Sequence, residues 1–485
     1  MLHDLFRHAV HQPNAVAFID EENEISFRDL ALRVAGVADG LTSAGAVAGI
    51  LAPNGIDWVV AYLGAMLANK TIVPLPLFFS DSQLRHIIAD SGVSFVLGPQ
   101  SDRMKGISPE TRVLETPSLP ADHFPDGCDS HWQLVIYTSG TTGTPKGVRL
   151  ESPQVSASVL ALASAILPAE DDRYLSVLPF TLLLEQVTGI LLPIHVGVCS
   201  HISAQTSHAA LTGDMTPFMQ AVEDVRPSIS VMVPSMLEVW LLTRERLGAA
   251  TPRGLRFVAV GGAHVPATLI QQARNAGIPA FEGYGLSECC SVVAVNVPTA
   301  DRLGSVGQPL PGLTVSIEDG EIVVAGPSVM TGYLGGDDIG GVWHTRDLGF
   351  VDDEGFLHVQ GRADNMLITS RGRNLSPEWI EGMIEADARI GRCIVYGQGL
   401  PTPGAIIVPS TEGVSWFRCA RQADVLGLVR RLCREAPTYA CPGTFTLIEE
   451  PFFREGGFID PNGKVHRQTV EAHFNPQVLS RSDSK

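Results

Sequence analysis

YTSGTTGTPKGV, residues 137–148, is the stretch that decides the fold. Nine of its twelve residues are small, hydroxylated, Gly or Pro, and a single lysine stands among them. The apolar run before it, LVIY at 134–137, reads as a strand that feeds a loop. Gly140 and Gly143 let the backbone turn and present N–H groups, while Ser139, Thr141, Thr142 and Thr144 add hydroxyls and Lys146 adds charge. Such a nest suits an anion with several oxygens. It is not the P-loop of the GxxxxGK[ST] type, because Lys146 follows Pro145 and precedes glycine. Taken alone, the run could also be an ordinary Ser/Thr/Gly turn.

Working outward, strands and helices alternate. ISFRDLALRVAGVADGL (25–41) reads as a helix, with Leu30, Val34, Val37, Ala38 and Leu41 on one stripe. PNGIDWVVAYLGAMLAN (53–69) gives a second helix and KTIVPLP (70–76) a buried strand. DSQLRHIIADSGVSFVL (81–97) gives a helix capped by Asp81 or Ser82, a glycine stop and a strand. SISVMV (228–233) and LRFVAVGG (255–262) continue the alternation, which predicts layered α/β subdomains around parallel strands.

After Gly304 the texture changes to short strands with Gly and Asp turns, which predicts a β-rich subdomain. SPEWIEGMIEADARI (376–390) then reads as a helix, with Ser376 as N-cap, Pro377 at its first position and Glu378 and Glu381 in its first turns. Roughly the last 120 residues read as a compact separate domain.

Composition narrows the class. At 485 residues the chain can bury a large core, and 45% apolar with 18% charged residues is ordinary globular usage. A net charge of −18 argues against a nucleic-acid binder. The N-terminus has no signal-peptide pattern, and the most apolar stretch, 182–199, is broken by Glu185, Gln186, Pro193 and His195, so no transmembrane segment is expected. Eight cysteines stand without a CxxC pair, signalling neither zinc nor a disulfide framework. A cytoplasmic setting follows as the expectation, with a monomer or homodimer left open.

YTSGTTGTPKGV resembles the signature of the acyl-adenylate-forming superfamily, which includes acyl-CoA synthetases, aryl-acid ligases, peptide-synthetase adenylation domains and firefly-type luciferases. The resemblance runs nearly the whole chain, in the family's order, through ISFRDL, KTIVPLPLFFSDSQLRHIIADSGVSFVL, EGYGLSE, HTRDLG, GRADNMLITSRGRNLSPEWIE and PNGKVHR. It implies that a carboxylic acid attacks the α-phosphorus of ATP, expels pyrophosphate, and is then passed as the acyl group to a thiol.

The resemblance also implies roles. Thr138, Ser139, Gly140, Thr141, Thr142, Gly143, Thr144 and Lys146 would wrap the β- and γ-phosphates. Gly261, Gly262 and Ala263 would run past adenine and acyl group, and Gly283, Tyr284 and Gly285 would flank the adenine. Glu288 would hold Mg2+, which a bare polyphosphate needs before a carboxylate can approach. Asp347 would take both ribose hydroxyls, since one carboxylate has two acceptor oxygens for a vicinal diol. Arg362 would contact ribose or phosphate, and Asp364 would be the hinge between a large N-terminal domain, 1–363, and a small C-terminal α+β domain, 364–485, that moves as a lid. Lys464 would enter the site for adenylation and be withdrawn as the lid turns. Gly372 would then line the channel for CoA or a carrier-protein phosphopantetheine. Many relatives have Gly-Gly where this chain has Arg371-Gly372, so both thiol acceptors stay open.

For the acid, SVLPFTLLLEQVTGILLP (176–193) offers no Asp near Phe180 and Thr181 to hold an α-ammonium group, which disfavours an amino acid. Glu185 reads as a structural acid. The aromatic-His pair of many CoA ligases is absent. Leucine, valine and isoleucine nearby lead to the expectation of an aliphatic, medium or long acyl chain, with an aromatic acid as runner-up; plain core packing would account for them equally. The alternative of a different class is a catalytically silent nucleotide-binding scaffold on the same fold. Acid-dependent exchange of pyrophosphate into ATP separates the two.

Overall fold

The stripe expected of the first long helix is what buries it. In the computed structural model the helix runs Phe27–Gly40, and Leu30, Val34, Val37 and Leu41 are buried, with Ala38 half-buried at the edge. Ser26 caps it by accepting the Asp29 amide. It lies against the second helix, Ile56–Leu67, which is apolar on nearly every face and accordingly sits inside the main core. Residues 1–115, 120–125, 131–138, 145–207, 216–248, 251–449, 456–459 and 465–475 are described here.

Helix Asp81–Ser91 is capped by Ser80, one residue before the two expected caps. Ser80 accepts the Gln83 amide, and the Gln83 side chain returns the bond to the Ser80 amide, so the reciprocal box decides the start. The glycine stop is Gly92, in the left-handed region, and the expected strand follows at Phe95–Leu97.

Two large sheets carry the N-terminal part. One has seven strands, with a parallel centre formed by Val47–Ile50, Thr71–Pro74 and Phe95–Leu97. The strand Gln133–Thr138 joins Thr71–Pro74 in parallel and turns back through Lys146–Glu151, its antiparallel neighbour. The other has nine strands. Arg173–Ser176, Ile229–Met232, Phe257–Val260 and Ala280–Leu286 run parallel within it.

The β-rich subdomain is a four-stranded antiparallel sheet of Thr314–Glu318, Glu321–Ala325, Val342–Val351 and Leu357–Arg362. Asp319 and Gly320 turn its first hairpin with positive φ at both positions, which matches strand twist. Beyond it, two buried clusters draw on residues 367–470 alone. They pack helix Pro377–Glu385 and helix Gln422–Leu432 against a three-stranded sheet of Ile390–Tyr396, Gly404–Pro409 and Thr444–Leu447. The chain is thus α/β with a large N-terminal part and a separate α+β C-terminal part.

The apolar stretch at 182–199 is a broken helix: Leu183–Glu185, a π-helical turn Gln186–Leu191, and Leu192–Val196. Among the described residues, no helix is long and apolar enough to cross a membrane. The described cysteines are all free, and no group of three or more His, Cys, Asp or Glu among the described residues is arranged to hold a metal.

Candidate active site

The parallel strands end on one edge, and the chemistry-bearing loops leave from there. Strand Ala280–Leu286 is parallel to Phe257–Val260 as far as Glu282, then pairs antiparallel with Ser291–Val295 from Gly283 on. The change of partner places Gly283, Tyr284 and Gly285 at the sheet's rim. Gly261, just past its own strand, lies against them. A Cβ on Gly261 would sit 2.8 Å from the Gly283 carbonyl oxygen, and one on Gly285 would sit 1.7 Å from the Ser291 carbonyl oxygen, so neither position has room for a side chain. Gly262 and Ala263 follow as an exposed turn.

Tyr284 reaches into the β-rich subdomain and donates its hydroxyl to Asp347 Oδ2 at 2.5 Å. Asp347 sits on strand Val342–Val351 directly opposite Arg362 on Leu357–Arg362, and Arg362 Nη1 lies 3.2 Å from Asp347 Oδ1. Both carboxylate oxygens therefore have a partner. Burial pushes the Asp347 carboxyl up, and Arg362 and the Tyr284 hydroxyl oppose that rise. Burial and the Asp347 charge push the Tyr284 phenol well up, so it stays a donor.

Glu288 occupies a one-turn 3₁₀ helix, Ser287–Cys289. Its Oε1 accepts the Tyr333 hydroxyl at 2.8 Å, and its backbone carbonyl accepts the Met330 amide. Glu288 and Asp347 are near enough that the charge of Glu288 raises Asp347 further. Lys146 pairs with Thr138 across the hairpin, and its ammonium lies 5.7 Å from the centre of the Tyr333 ring. Tyr137, beside Thr138, donates to Asp90 at 2.6 Å, which ties the strand to helix Asp81–Ser91.

Lys146, Tyr284, Glu288, Asp347 and Arg362 thus converge, though they come from four separate motifs. Ser139, Gly140, Thr141, Thr142, Gly143, Thr144 and Lys464 lie outside the described residues. Asp364 lies in a short turn, Ala363–Asn365, with Arg346 at 2.8 Å and Arg362 at 4.0 Å. Gly372 stands apart from this group. It lies in the turn between Leu367–Ile368 and Asn374–Leu375, with open space where a Cβ would be.

Ser376 does precede helix Pro377–Glu385, but its hydroxyl does not cap it. It donates instead to the Gln360 carbonyl at 2.7 Å, and so ties the helix back to the last strand of the β-rich sheet. Glu378 of that helix receives Asn365 at 2.6 Å from the turn that holds Asp364.

Three residues of this neighbourhood are given no role by the sequence, although Arg467 closes the PNGKVHR motif. Tyr333 joins Glu288 to Lys146. His264, next after Ala263, packs against Gly382 of helix Pro377–Glu385, where a Cβ would lie 2.9 Å from its Nε2. Arg467 ion-pairs with both Glu378 and Glu381. Only the two helical acids are visible as a pattern in the sequence; their partners are distant.

The chain matches the AMP-binding enzyme family over residues 5–334 and the AMP-binding enzyme C-terminal domain over residues 364–479. It is 29% identical over 456 residues to a feruloyl-CoA synthase of Amycolatopsis sp, covering 85% of this chain and 90% of that protein. It is 29% identical over 437 residues to a 2-succinylbenzoate–CoA ligase of Bacillus cereus (strain AH820), covering 82% and 86%. The O-succinylbenzoate coenzyme A synthetase of Bacillus subtilis, solved with ATP and magnesium ion, superposes with a TM-score of 0.80 at 23% identity, over 96% of this chain and 99% of that one.

Proposed function

The chain belongs to the AMP-binding enzyme family, and from that premise we propose that it is an AMP-forming acid–thiol ligase that joins an aromatic carboxylic acid to CoA. The observation that carries the reading is the convergence of Asp347, Tyr284 and Arg362 with Glu288 and Lys146 in one cluster. It offers a diol acceptor, a hard oxygen ligand and a cation for a nucleoside triphosphate.

In this reading Asp347 accepts the two ribose hydroxyls, with Tyr284 at the edge of the adenine and Arg362 freed to face ribose or phosphate. Gly261 and Gly283 keep the wall thin enough for the nucleotide and acid to lie against backbone. Lys146 and the loop 139–144 hold the β- and γ-phosphates. Glu288 would hold Mg2+; a single carboxylate whose remaining partners are phosphate oxygens and water suits that ion, which seldom has an all-protein cage. Bound there, the metal would supply charge neutralisation on the polyphosphate.

A carboxylate oxygen of the acid then attacks the α-phosphorus, the bond to the β-phosphate oxygen breaks, and pyrophosphate leaves. Lys464 would screen the approach of one anion to another. In the second step the CoA sulfur attacks the acyl carbon, its proton goes to solvent, and AMP leaves with the electron pair of the broken bond. The division at 363/364, with Asp364 as the hinge between the two steps, and the place of Gly372 on the thiol's path belong to the same proposal.

The aromatic acid replaces the aliphatic one expected from the sequence. The apolar residues behind that expectation are mostly core: Leu183, Val187, Ile190 and Leu191 are fully buried in the main cluster and pack the interior. The acids in the names of the relatives, ferulate and 2-succinylbenzoate, are both aromatic. The test is exchange of labelled pyrophosphate into ATP across a panel of aromatic and aliphatic acids, followed by mass detection of the CoA thioester. Exchange with aromatic acids and a CoA product is expected. Inertness with every acid would leave the silent scaffold standing.

A further inference from the structure

We propose that Tyr333 is a positioning residue that sets the spacing of Glu288 and Lys146 on either side of the polyphosphate. The proposal rests on the reading of those two residues given above. The Tyr333 hydroxyl donates to Glu288 Oε1 at 2.8 Å, while the face of the same ring lies 5.7 Å from the Lys146 ammonium. The ring is itself held, edge to face, by Trp343 with centres 5.8 Å apart.

The backbone around Tyr333 makes the same two connections. The Met330 amide donates to the Glu288 carbonyl at 2.8 Å, and the Leu334 amide donates to the Gly147 carbonyl at 2.7 Å. Between them, Gly332–Tyr333 forms a short strand beside Lys146–Glu151, with Tyr333 opposite Val148. One short segment therefore clamps the turn that carries Glu288 to the strand that carries Lys146, and Tyr333 extends the clamp to their side chains.

A free glutamate samples several rotamers and a free lysine more, and ordering them at the moment of binding costs affinity. With one carboxylate oxygen fixed by the phenol, the other is presented in a set direction to a cation on the phosphates. The ring limits where the ammonium rests through its negative face. A residue that merely filled space would need the ring and not the hydroxyl, which gives the test its handle.

The experiment uses the full chain, Mn2+ as a paramagnetic probe in place of Mg2+, and the β,γ-methylene analogue of ATP. Bound Mn2+ is read from the loss of the free-ion electron paramagnetic resonance signal. AMP binding by calorimetry, which needs no metal, and the melting temperature serve as controls. Tyr333→Phe keeps the ring between Lys146 and Trp343 and removes the hydroxyl. It is expected to weaken Mn2+ binding in the presence of the analogue by about 10- to 150-fold, the range for one hydrogen bond to a charged group, with AMP binding and melting unchanged. Glu288→Gln is measured in parallel and should weaken Mn2+ binding at least as much. If Glu288→Gln binds Mn2+ poorly but Tyr333→Phe binds it like the parent, Tyr333 has no positioning role. If Tyr333→Phe loses AMP binding and thermal stability in step with Mn2+, its role is structural and the proposal fails. If Glu288→Gln itself leaves Mn2+ binding intact, the site reading fails, and this proposal with it.

Discussion

Arg467 Nη2 lies 2.8 Å from Glu381 Oε2, across 86 residues of chain. The same guanidinium reaches Glu378 at 2.9 Å, so one half-buried cation is shared by two acids a turn apart on helix Pro377–Glu385. Burial raises the Glu381 carboxyl and Arg467 opposes that rise. The pair ties the segment just after Lys464 to the helix whose first turn is held by Asn365 near the expected hinge.

Arg467→Met should therefore leave the buried Glu381 carboxylate without its cation, while Glu378 keeps Asn365 and Ser376. We expect a loss of about 3–5 kcal/mol from the C-terminal part, the usual cost of breaking a buried pair on one side. Urea denaturation, followed by tryptophan fluorescence from Trp379 and Trp416, measures it. A loss below about 1 kcal/mol would show that water screens the pair.

Asp347→Ala removes the acceptor shared by Tyr284 and Arg362. AMP binding should weaken by about 10- to 100-fold, since each hydrogen bond to a charged acceptor counts strongly. Calorimetric titration with AMP and with 2′,3′-dideoxy-AMP gives the check. The variant should no longer discriminate between the two ligands, whereas the parent should prefer the diol clearly.

Lys464→Ala should reduce acid-dependent pyrophosphate exchange by about 10²-fold or more, as removal of one transition-state charge partner does elsewhere. Thioester formation from preformed acyl-AMP should fall far less. Equal losses in the two half-reactions would refute the role assigned to this lysine.

Glu185 gives a pH signature. It is wholly buried, and burial pushes its carboxyl up to about 8, against opposing contributions from Ser176, Tyr174 and the Leu178 and Val177 amides. Because the folded value lies above the unfolded one, the unfolded chain sheds this proton first as pH rises. The fold then loses stability from the ordinary carboxylate range up to about pH 8. Glu185→Gln should remove this slope, gaining roughly 2–4 kcal/mol on the parent between pH 5 and pH 8. Denaturation at both pH values tests it; a constant difference would show that the carboxyl ionises freely inside the fold.

Local patterns made much of this molecule legible. The helical stripe of Leu30, Val34 and Val37, the αL stop at Gly92 and the hairpin at Asp319-Gly320 are short-range features, and they appear where spacing puts them. The motif order also anticipated that Lys146, Tyr284, Glu288, Asp347 and Arg362 would meet. Ser80 was hidden because three candidate caps stand in a row, and the Gln83 side chain selects among them. Tyr333 and the pairing of Arg467 were hidden for another reason. Their partners lie 45 and 86 residues away, and no periodicity links such pairs. The apolar run after Thr181 does not by itself mark an acyl pocket, because core and pocket draw on the same residue types, and Leu183, Val187, Ile190 and Leu191 are buried in the core.

On the proposed reading, the trio of Tyr284, Asp347 and Arg362 would shape the end of the catalytic cycle as much as its start. A sugar settling on Asp347 would have to displace the phenol or the guanidinium, both of which rest on that carboxylate in the structure. The protein would thus supply an internal competitor for its own product. As spent AMP loosened, the hydroxyl and the guanidinium would reclaim the carboxylate and favour its departure.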